Sequence, residues 1–172
     1  MKRNLSENTI KTIWLWRPSL VLSAAFPLGG LSHRLENLGL KKNIIFINDS
    51  KATTIDSVKA AVDATKESFP NLKINLLLGG RDKKLPWTEL KSLASDPRLN
   101  LFFFGEHGAI IKQTLGSRAP DFQTLDLLLR NLNEDKLGLD SVVLFSPGGV
   151  SQDEFTSFET RGEFFRQWFE KF

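Results

Sequence analysis

The 172-residue chain has the length of a single domain, and its 41% hydrophobic residues, including 14 Phe, suffice for a full core and argue against intrinsic disorder. A net charge of +3 suits an anionic small molecule, but the dense Lys/Arg blocks of a nucleic-acid binder are absent. The lack of Cys excludes disulfides and fits a reducing, cytoplasmic setting, while His33 and His107 are too isolated for an ordinary His-based metal site.

The first apolar stretch, residues 13–26, is shorter than the roughly 18 apolar residues that a membrane-spanning helix needs. Arg17 and Pro18 also interrupt it, so we expect no membrane segment here. Lys2 and Arg3 precede this stretch as they would in a signal peptide, but the apolar run after Pro18 has only about eight residues, near the lower limit for such a region. A signal peptide is therefore the less favoured interpretation.

Strand and helix patterns alternate along the rest of the chain. Short apolar runs predict strands near 44–48, 74–78, 100–104 and 142–146. Helical patterns are found at 54–68, 87–95, around 110–115, at 124–132 and at 161–172. Strands separated by helices imply right-handed crossovers, so we predict an α/β fold with a Rossmann-like, mostly parallel sheet and helices on both faces.

Polar clusters follow three of these predicted strands. They are Asn48-Asp49-Ser50-Lys51-Ala52-Thr53, Gly79-Gly80-Arg81-Asp82-Lys83 and Ser146-Pro147-Gly148-Gly149-Val150-Ser151. Because ligands of open α/β sheets bind beyond the carboxyl ends of the strands, we expect a site formed by Asp49, Lys51, Thr53, Lys83 and Ser151. Simpler interpretations stay open: Asp49 or Ser50 could cap the next helix, and Lys83 could lie in a solvated turn.

Five motifs in sequence order resemble the C-terminal domain of the Mur ligases. They are Leu31-Ser32-His33-Arg34-Leu35-Glu36, Asn48–Thr53, Leu77–Lys83, Phe104-Gly105-Glu106, and a closing pattern of Ser146-Pro147, Ser151, Asp153, Phe155, Phe158 and Arg161-Gly162. The resemblance covers about residues 30–172. Each motif is weak alone, whereas the five together are highly specific. Within the family, the resemblance is closest to the branch that adds D-glutamate to UDP-N-acetylmuramoyl-L-alanine.

This resemblance implies an ATP-dependent amide-bond ligase of peptidoglycan synthesis, with ATP and magnesium as cofactors of the complete enzyme. It implies that Arg34 and Asp49 contact the ribose and phosphate region of ATP. It further implies an amino-acid pocket shaped by Lys51, Thr53, Lys83, Ser151 and Phe158. Lys and hydroxyl donors give charge-assisted hydrogen bonds to the two carboxylates of D-glutamate. By periodicity alone, Phe158 would instead be a core residue.

The chain contains no G-x-x-x-x-G-K-[ST] phosphate loop and no Gly-Lys dipeptide. In the family that loop, the magnesium ligands and the catalytic lysine belong to a central domain, which a UDP-binding domain precedes. We therefore expect residues 30–172 to be the third domain of such a ligase and residues 1–29 to be a linker or a remnant of the preceding domain. No catalytic residue, metal ligand or bound cofactor is expected in this chain alone. A stand-alone binding module is the alternative, and a relative of folylpolyglutamate synthetase is a weaker third.

Overall fold

The computed structural model describes residues 31–172, so the expectations for residues 1–30 lie outside the described part of the chain. Its strands are β1 (Glu36–Lys41), β2 (Ile44–Asn48), β3 (Lys73–Gly79), β4 (Leu99–Phe104), β5 (Asp121–Phe122) and β6 (Ser141–Gly148). Its helices are α1 (Ile55–Ser68), α2 (Lys91–Ala94), α3 (Gly108–Leu115), α4 (Leu125–Asn131), α5 (Glu134–Leu137) and α6 (Phe158–Lys171), with a 3₁₀ turn, Trp87–Leu90, directly before α2.

The six strands form one sheet in the order β1-β2-β6-β3-β4-β5. Only β1 is antiparallel to its neighbour, and all other pairs are parallel. This confirms the predicted mostly parallel sheet. The last strand of the chain, β6, lies between β2 and β3, so the three strands that polar clusters follow are direct neighbours and end at the same edge.

Helices cover both faces of the sheet, as predicted, and this explains the uninterrupted apolar character of the strands. Along β2, Ile47 belongs to a core cluster on one face together with Val58 of α1. Its neighbour Phe46 belongs to the opposite cluster together with Phe165 of α6. All four side chains are fully buried. Successive strand residues point to opposite faces, so both must be apolar when neither face contacts water.

Short polar side chains determine where the two longest helices begin. Thr54 is the N-cap of α1, and its hydroxyl accepts a hydrogen bond from the Ser57 amide at 3.2 Å. The interpretation of Asp49 or Ser50 as the cap is therefore wrong. Ser157 caps α6 by accepting from the Thr160 amide at 3.2 Å, so this helix starts at Phe158, three residues before the predicted start.

Three elements were not predicted, namely β1, β5 and α5. β1 is an edge strand that is half-buried along its length, and its sequence, ENLGLK, lacks the continuous apolar run of the central strands. β5 has two residues and α5 has four, which is too short for either periodicity to develop. Within residues 31–172, no helix combines the length and apolarity that crossing a membrane requires.

Candidate ligand site at the carboxyl edge of the sheet

Three loops leave the carboxyl ends of the neighbouring strands β2, β3 and β6. We name them the β2 loop (49–54), the β3 loop (80–86) and the β6 loop (149–157). The β3 and β6 loops are joined by a two-way backbone contact, in which the Arg81 amide donates to the Val150 carbonyl at 2.9 Å and the Val150 amide donates back at 3.0 Å. The amide of Gly148, at the end of β6, donates to the Ala52 carbonyl of the β2 loop at 3.0 Å. The three loops therefore form one continuous surface.

Gly80 permits the close approach of the β3 and β6 loops. Its φ is +94°, which L residues with a side chain rarely adopt. A Cβ at this position would lie 2.5 Å from the Val150 carbonyl oxygen, which is far inside van der Waals contact. The glycine is thus required by both its backbone conformation and its neighbour.

Asp49 lies at the start of the β2 loop with only 5% of its surface exposed. One carboxylate oxygen accepts from the Leu35 amide at 3.1 Å and the other from the Ser146 hydroxyl at 2.8 Å. Burial raises the pKa of Asp49 to about 6, although these hydrogen bonds and the charge of Arg34 act in the opposite direction. Both oxygens of Asp49 are thus engaged by the protein, while Arg34 is exposed to solvent.

Arg161 of α6 is completely buried and contacts the β2 loop and the β6 loop. Its Nη2 donates to the Ser50 carbonyl at 2.8 Å, its Nε to the Ser50 hydroxyl at 3.1 Å, and its Nη1 to the Gly149 carbonyl at 3.0 Å. Burial lowers the pKa of Arg161 to about 10, despite the nearby charges of Asp153 and Glu154. Sequence reasoning included this residue in a motif but gave it no role. The signal for a role was an Arg among apolar residues in an amphipathic helix.

The β3 loop is shaped by Asp82 and presents Lys83. One oxygen of Asp82 accepts from the Leu85 amide at 2.8 Å and from the Trp87 indole at 3.1 Å, which closes the loop on itself. The Asp82 amide donates to the His107 ring at 3.2 Å. Lys83, next to this anchored aspartate, is exposed to solvent.

Lys51 and Phe158 bring the β2 loop against the start of α6. The Lys51 ammonium lies 5.4 Å from the centre of the Phe158 ring, within the range of a cation–π interaction. The Phe158 carbonyl accepts from the Ser50 hydroxyl at 2.8 Å. Phe158 is half-buried rather than a fully enclosed core residue, and Lys51 is exposed.

Thr53 and Ser151 are the two hydroxyl residues of the candidate site. Thr53 is half-buried, whereas Ser151 is 2% exposed and its carbonyl accepts from the Phe155 amide at 2.8 Å. Toward other residues of the 31–172 range, the side chains of Lys51, Thr53, Lys83 and Ser151 form no hydrogen bond and no ion pair. The ammonium groups of Lys51 and Lys83 are therefore both exposed and unengaged, and the more buried hydroxyls of Thr53 and Ser151 are unengaged, in contrast to the carboxylates of Asp49 and Asp82.

His33 packs against Asn48 at the end of β2 and against Gly162 of α6. Its Nδ1 lies 3.1 Å from the side-chain nitrogen Nδ2 of Asn48, which also donates to the Gly162 carbonyl at 3.1 Å. A Cβ on Gly162 would lie 2.2 Å from the same ring nitrogen. This contact fixes the segment that carries Arg34 close to the β2 loop.

Glu106, which follows β4, contacts the β3 and β6 loops at the same edge of the sheet. It forms an ion pair with Arg81 at 2.7 Å, and its amide donates to Asp153 of the β6 loop at 3.1 Å. The hydrogen bond from Arg81 lowers the pKa of Glu106. Glu106 is thus engaged at the rim of the site and adds a link between the β3 and β6 loops.

The arrangement suits binding of an anion. Two exposed ammonium groups and two hydroxyls can donate to carboxylate oxygens, and the loops that carry them are held by backbone hydrogen bonds. Within the part of the chain that the structure covers, no group of three or more His, Asp or Glu side chains could hold a metal ion.

No protein-family model matches the chain, but its sequence is similar to those of known proteins. It is 38% identical over 136 residues to the UDP-N-acetylmuramoylalanine–D-glutamate ligase of Chlamydia felis, a match that covers 78% of this chain and 31% of the relative. It is 38% identical over 144 residues to the ligase of the same name from Anaeromyxobacter dehalogenans, covering 83% of this chain and 30% of the relative. The chain thus spans about a third of the length of these curated relatives.

Among solved structures, the fold is similar to that of the UDP-N-acetylmuramate-alanine ligase from Thermotoga maritima, with a TM-score of 0.59 and 18% identity. That alignment covers 94% of this chain and 35% of the other. At this identity the likeness speaks for the fold alone, and it agrees with the sequence relatives. The chain therefore belongs to the Mur ligase family, in which it represents the C-terminal domain.

Proposed function

We propose that this chain is the amino-acid-binding domain of an ATP-dependent amide-bond ligase, and that the complete enzyme adds D-glutamate to UDP-N-acetylmuramoyl-L-alanine in peptidoglycan synthesis. The observation that carries the proposal is the 38% identity, over 83% of this chain, to a relative named for that reaction. The unengaged ammonium and hydroxyl groups at the carboxyl edge support it, because they match an amino acid with two carboxylates.

In this proposal, Lys51, Thr53, Lys83 and Ser151 donate to the D-glutamate carboxylates. Phe158 contributes through its ring, which lies beneath the Lys51 ammonium and restricts the positions that this ammonium adopts. Lys83 is held on a loop that Asp82 closes, so its backbone is ordered before the ligand arrives. The incoming amine must attack an acyl phosphate, and this domain contributes to that step by orienting the amino acid.

The nucleotide side of the proposed site consists of Arg34 and Asp49. Arg34 is exposed and can reach a phosphate, whereas both Asp49 oxygens already accept from Leu35 and Ser146. We therefore assign Asp49 a supporting part, in which its charge and its hold on Leu35 keep the neighbouring Arg34 in place. ATP would supply the phosphoryl group, and its magnesium would be held by residues outside the 31–172 range, which offers no suitable cluster.

The partners in this proposal are a central ATPase domain and a UDP-binding domain, acting in the cytoplasm. The 172-residue sequence has no phosphate-cradling loop, which phosphoryl transfer requires. We therefore propose that residues 30–172 act as the third domain of the enzyme and that the 172-residue chain alone has no ligase turnover.

The test is an assay of the chain with ATP, D-glutamate and UDP-N-acetylmuramoyl-L-alanine, run beside a complete ligase that contains the same segment. The complete ligase should release ADP in step with product, and the chain alone should release none. In the complete ligase, Lys83→Ala should raise the KM for D-glutamate. Product formation by the chain alone, or an unchanged KM, contradicts the proposal.

A stand-alone binding module that reuses this fold is the alternative, and the unengaged lysines would serve it equally well. The coding sequence upstream of this chain separates the two. A phosphate-loop domain in the same or a neighbouring reading frame supports the ligase, and its absence from that region supports the binding module. A ligase for another amino acid, related to folylpolyglutamate synthetase, would be revealed by its preference for that substrate in the same assay.

A further inference from the structure

Arg161 is unusual because it is a buried cation with only neutral partners. Its three hydrogen bonds go to two carbonyls and one hydroxyl, and no carboxylate in residues 31–172 lies within ion-pair distance of it. Removing a guanidinium from water is costly, and the nearby charges of Asp153 and Glu154, which form no ion pair with Arg161, do not outweigh the effect of burial on its pKa.

The partners of Arg161 belong to the loops of the proposed amino-acid site. Ser50 directly precedes Lys51, and Gly149 lies two residues before Ser151. The β3 loop is also close, since a Cβ on Gly80 would lie 3.0 Å from Arg161 Nη1. One side chain therefore contacts or closely approaches all three loops, at the points from which their ligand-facing residues emerge.

We infer that Arg161 is a positioning residue of the amino-acid site, whose planar guanidinium sets the β2 and β6 loops at the spacing that lets Lys51 and Ser151 engage one ligand. This inference rests on the proposed function. A lysine cannot replace it, because a single ammonium on a flexible stem cannot direct donors toward Ser50 and Gly149 in the fixed geometry of the guanidinium.

The test compares Arg161→Lys with Arg166→Lys in the 172-residue chain. Arg166 lies on the same helix and pairs with Glu36 of β1 at 2.5 Å and with Glu163 of its own helix, and neither partner belongs to the three loops. Hydrogen exchange followed by NMR should show faster exchange in Arg161→Lys, by about ten-fold, for the amides of Gly148, Gly149 and Val150. Amides in the middle of β6 should be unaffected, and Arg166→Lys should leave all of them unchanged.

Titration with D-glutamate then separates positioning from general stability. In conditions where each variant is folded, Arg161→Lys should raise the Kd for D-glutamate about five-fold or more, because the donors are no longer preorganised. Arg166→Lys should change it less than two-fold. A purely structural role would lower the melting temperature of Arg161→Lys and leave the Kd of the folded protein unchanged.

If the loop amides of Arg161→Lys exchange at the unaltered rate, or exchange faster while the Kd is unchanged, the inference about Arg161 is overturned and the proposed function is not affected. If the unaltered chain binds no D-glutamate, the proposed function fails and the inference fails with it. Should Arg161→Lys not fold, Ser50→Ala provides a milder variant, since it removes the hydroxyl that accepts from Nε and donates to the Phe158 carbonyl, and it leaves both carbonyl contacts of Arg161. It should raise the Kd in the same direction by a smaller factor, and no change in Kd for this variant also overturns the inference.

Discussion

Two regions lie at the same edge of the sheet but use their polar groups in opposite ways. The first is the junction formed by Asp49, Ser50 and Arg161, and the second is the tip of the β3 loop at Lys83. At the junction, Asp49, Ser50 and Arg161 are buried, and their side chains bond to protein atoms. At the tip, Lys83 is exposed and makes no ion pair with residues 31–172. We infer that the junction holds the loops in place, whereas the exposed lysines are free to bind a ligand.

The largest effect on folding is expected where the loops touch. Gly80→Ala should lower the free energy of unfolding by about 3 kcal/mol, because it combines a positive φ with a clash against the Val150 carbonyl. Gly116→Ala is the matched control, since its φ of +67° is also positive but no atom lies within 4 Å of the added Cβ. It should cost about 1 kcal/mol. Urea unfolding measures both, and equal losses would contradict the close contact of the loops.

A somewhat smaller effect is expected from the charge of Asp49. Folding raises the pKa of Asp49 from 3.8 to about 6, so the native state holds a proton that the unfolded state releases. The resulting stability is fully present below pH 4 and is lost as the pH rises through about 6. Relative to Asp49→Asn, the unaltered chain should therefore lose about 2 kcal/mol between pH 4 and pH 7. Unfolding at several pH values tests this, and a constant difference between the two proteins would show that Asp49 is not desolvated.

A third variant concerns the end of the β6 loop. Ser157→Ala removes the hydroxyl that accepts from the Thr160 amide and should cost about 1 kcal/mol of stability, the usual value of an N-cap. The neighbouring Thr156→Ala is the control, because Thr156 is exposed and does not cap the helix, and it should change stability by less than about 0.5 kcal/mol. A Ser157→Ala loss no larger than that of the control would mean that α6 does not need this cap.

The smallest effect on stability is expected at the tip. Lys83→Ala should change the free energy of unfolding by less than about 0.5 kcal/mol, because the side chain is exposed and forms no ion pair in the 31–172 range. Thermal and urea unfolding of the variant provide the measurement. A loss above 1 kcal/mol would place Lys83 in the framework and remove the contrast with the junction.

The central strands could be predicted because both faces of the sheet are covered, which requires continuous apolar runs such as Ile44–Asn48. β1 could not be predicted in the same way, since an edge strand that is half-buried and contains Gly39 has no such run. The apolar pattern predicts a start of α6 three residues too late, because the Ser157 cap determines where the helix begins.

The candidate site shows the same limit. Position after a strand and similarity to family motifs pointed to Lys51, Lys83 and Ser151, and their role in binding stays a prediction. Neither approach indicated that Asp49 would be buried with both oxygens engaged, since its partners Leu35 and Ser146 are distant in sequence. The junction likewise depends on contacts between α6 and residues more than 100 positions earlier in the chain, which no local pattern encodes.

In the proposed function the exposed lysines at this edge bind D-glutamate, and an NMR titration of the chain is the sharpest test of that binding. D-glutamate should shift the amides of the β2, β3 and β6 loops in a saturable way, with millimolar or weaker affinity, because in the proposed enzyme other domains complete the pocket. Lys83→Ala should weaken this binding clearly, while Lys91→Ala, an exposed lysine on α2, should not. Shifts that lie elsewhere in the domain, or equal binding by the unaltered chain and Lys83→Ala, would contradict the claim.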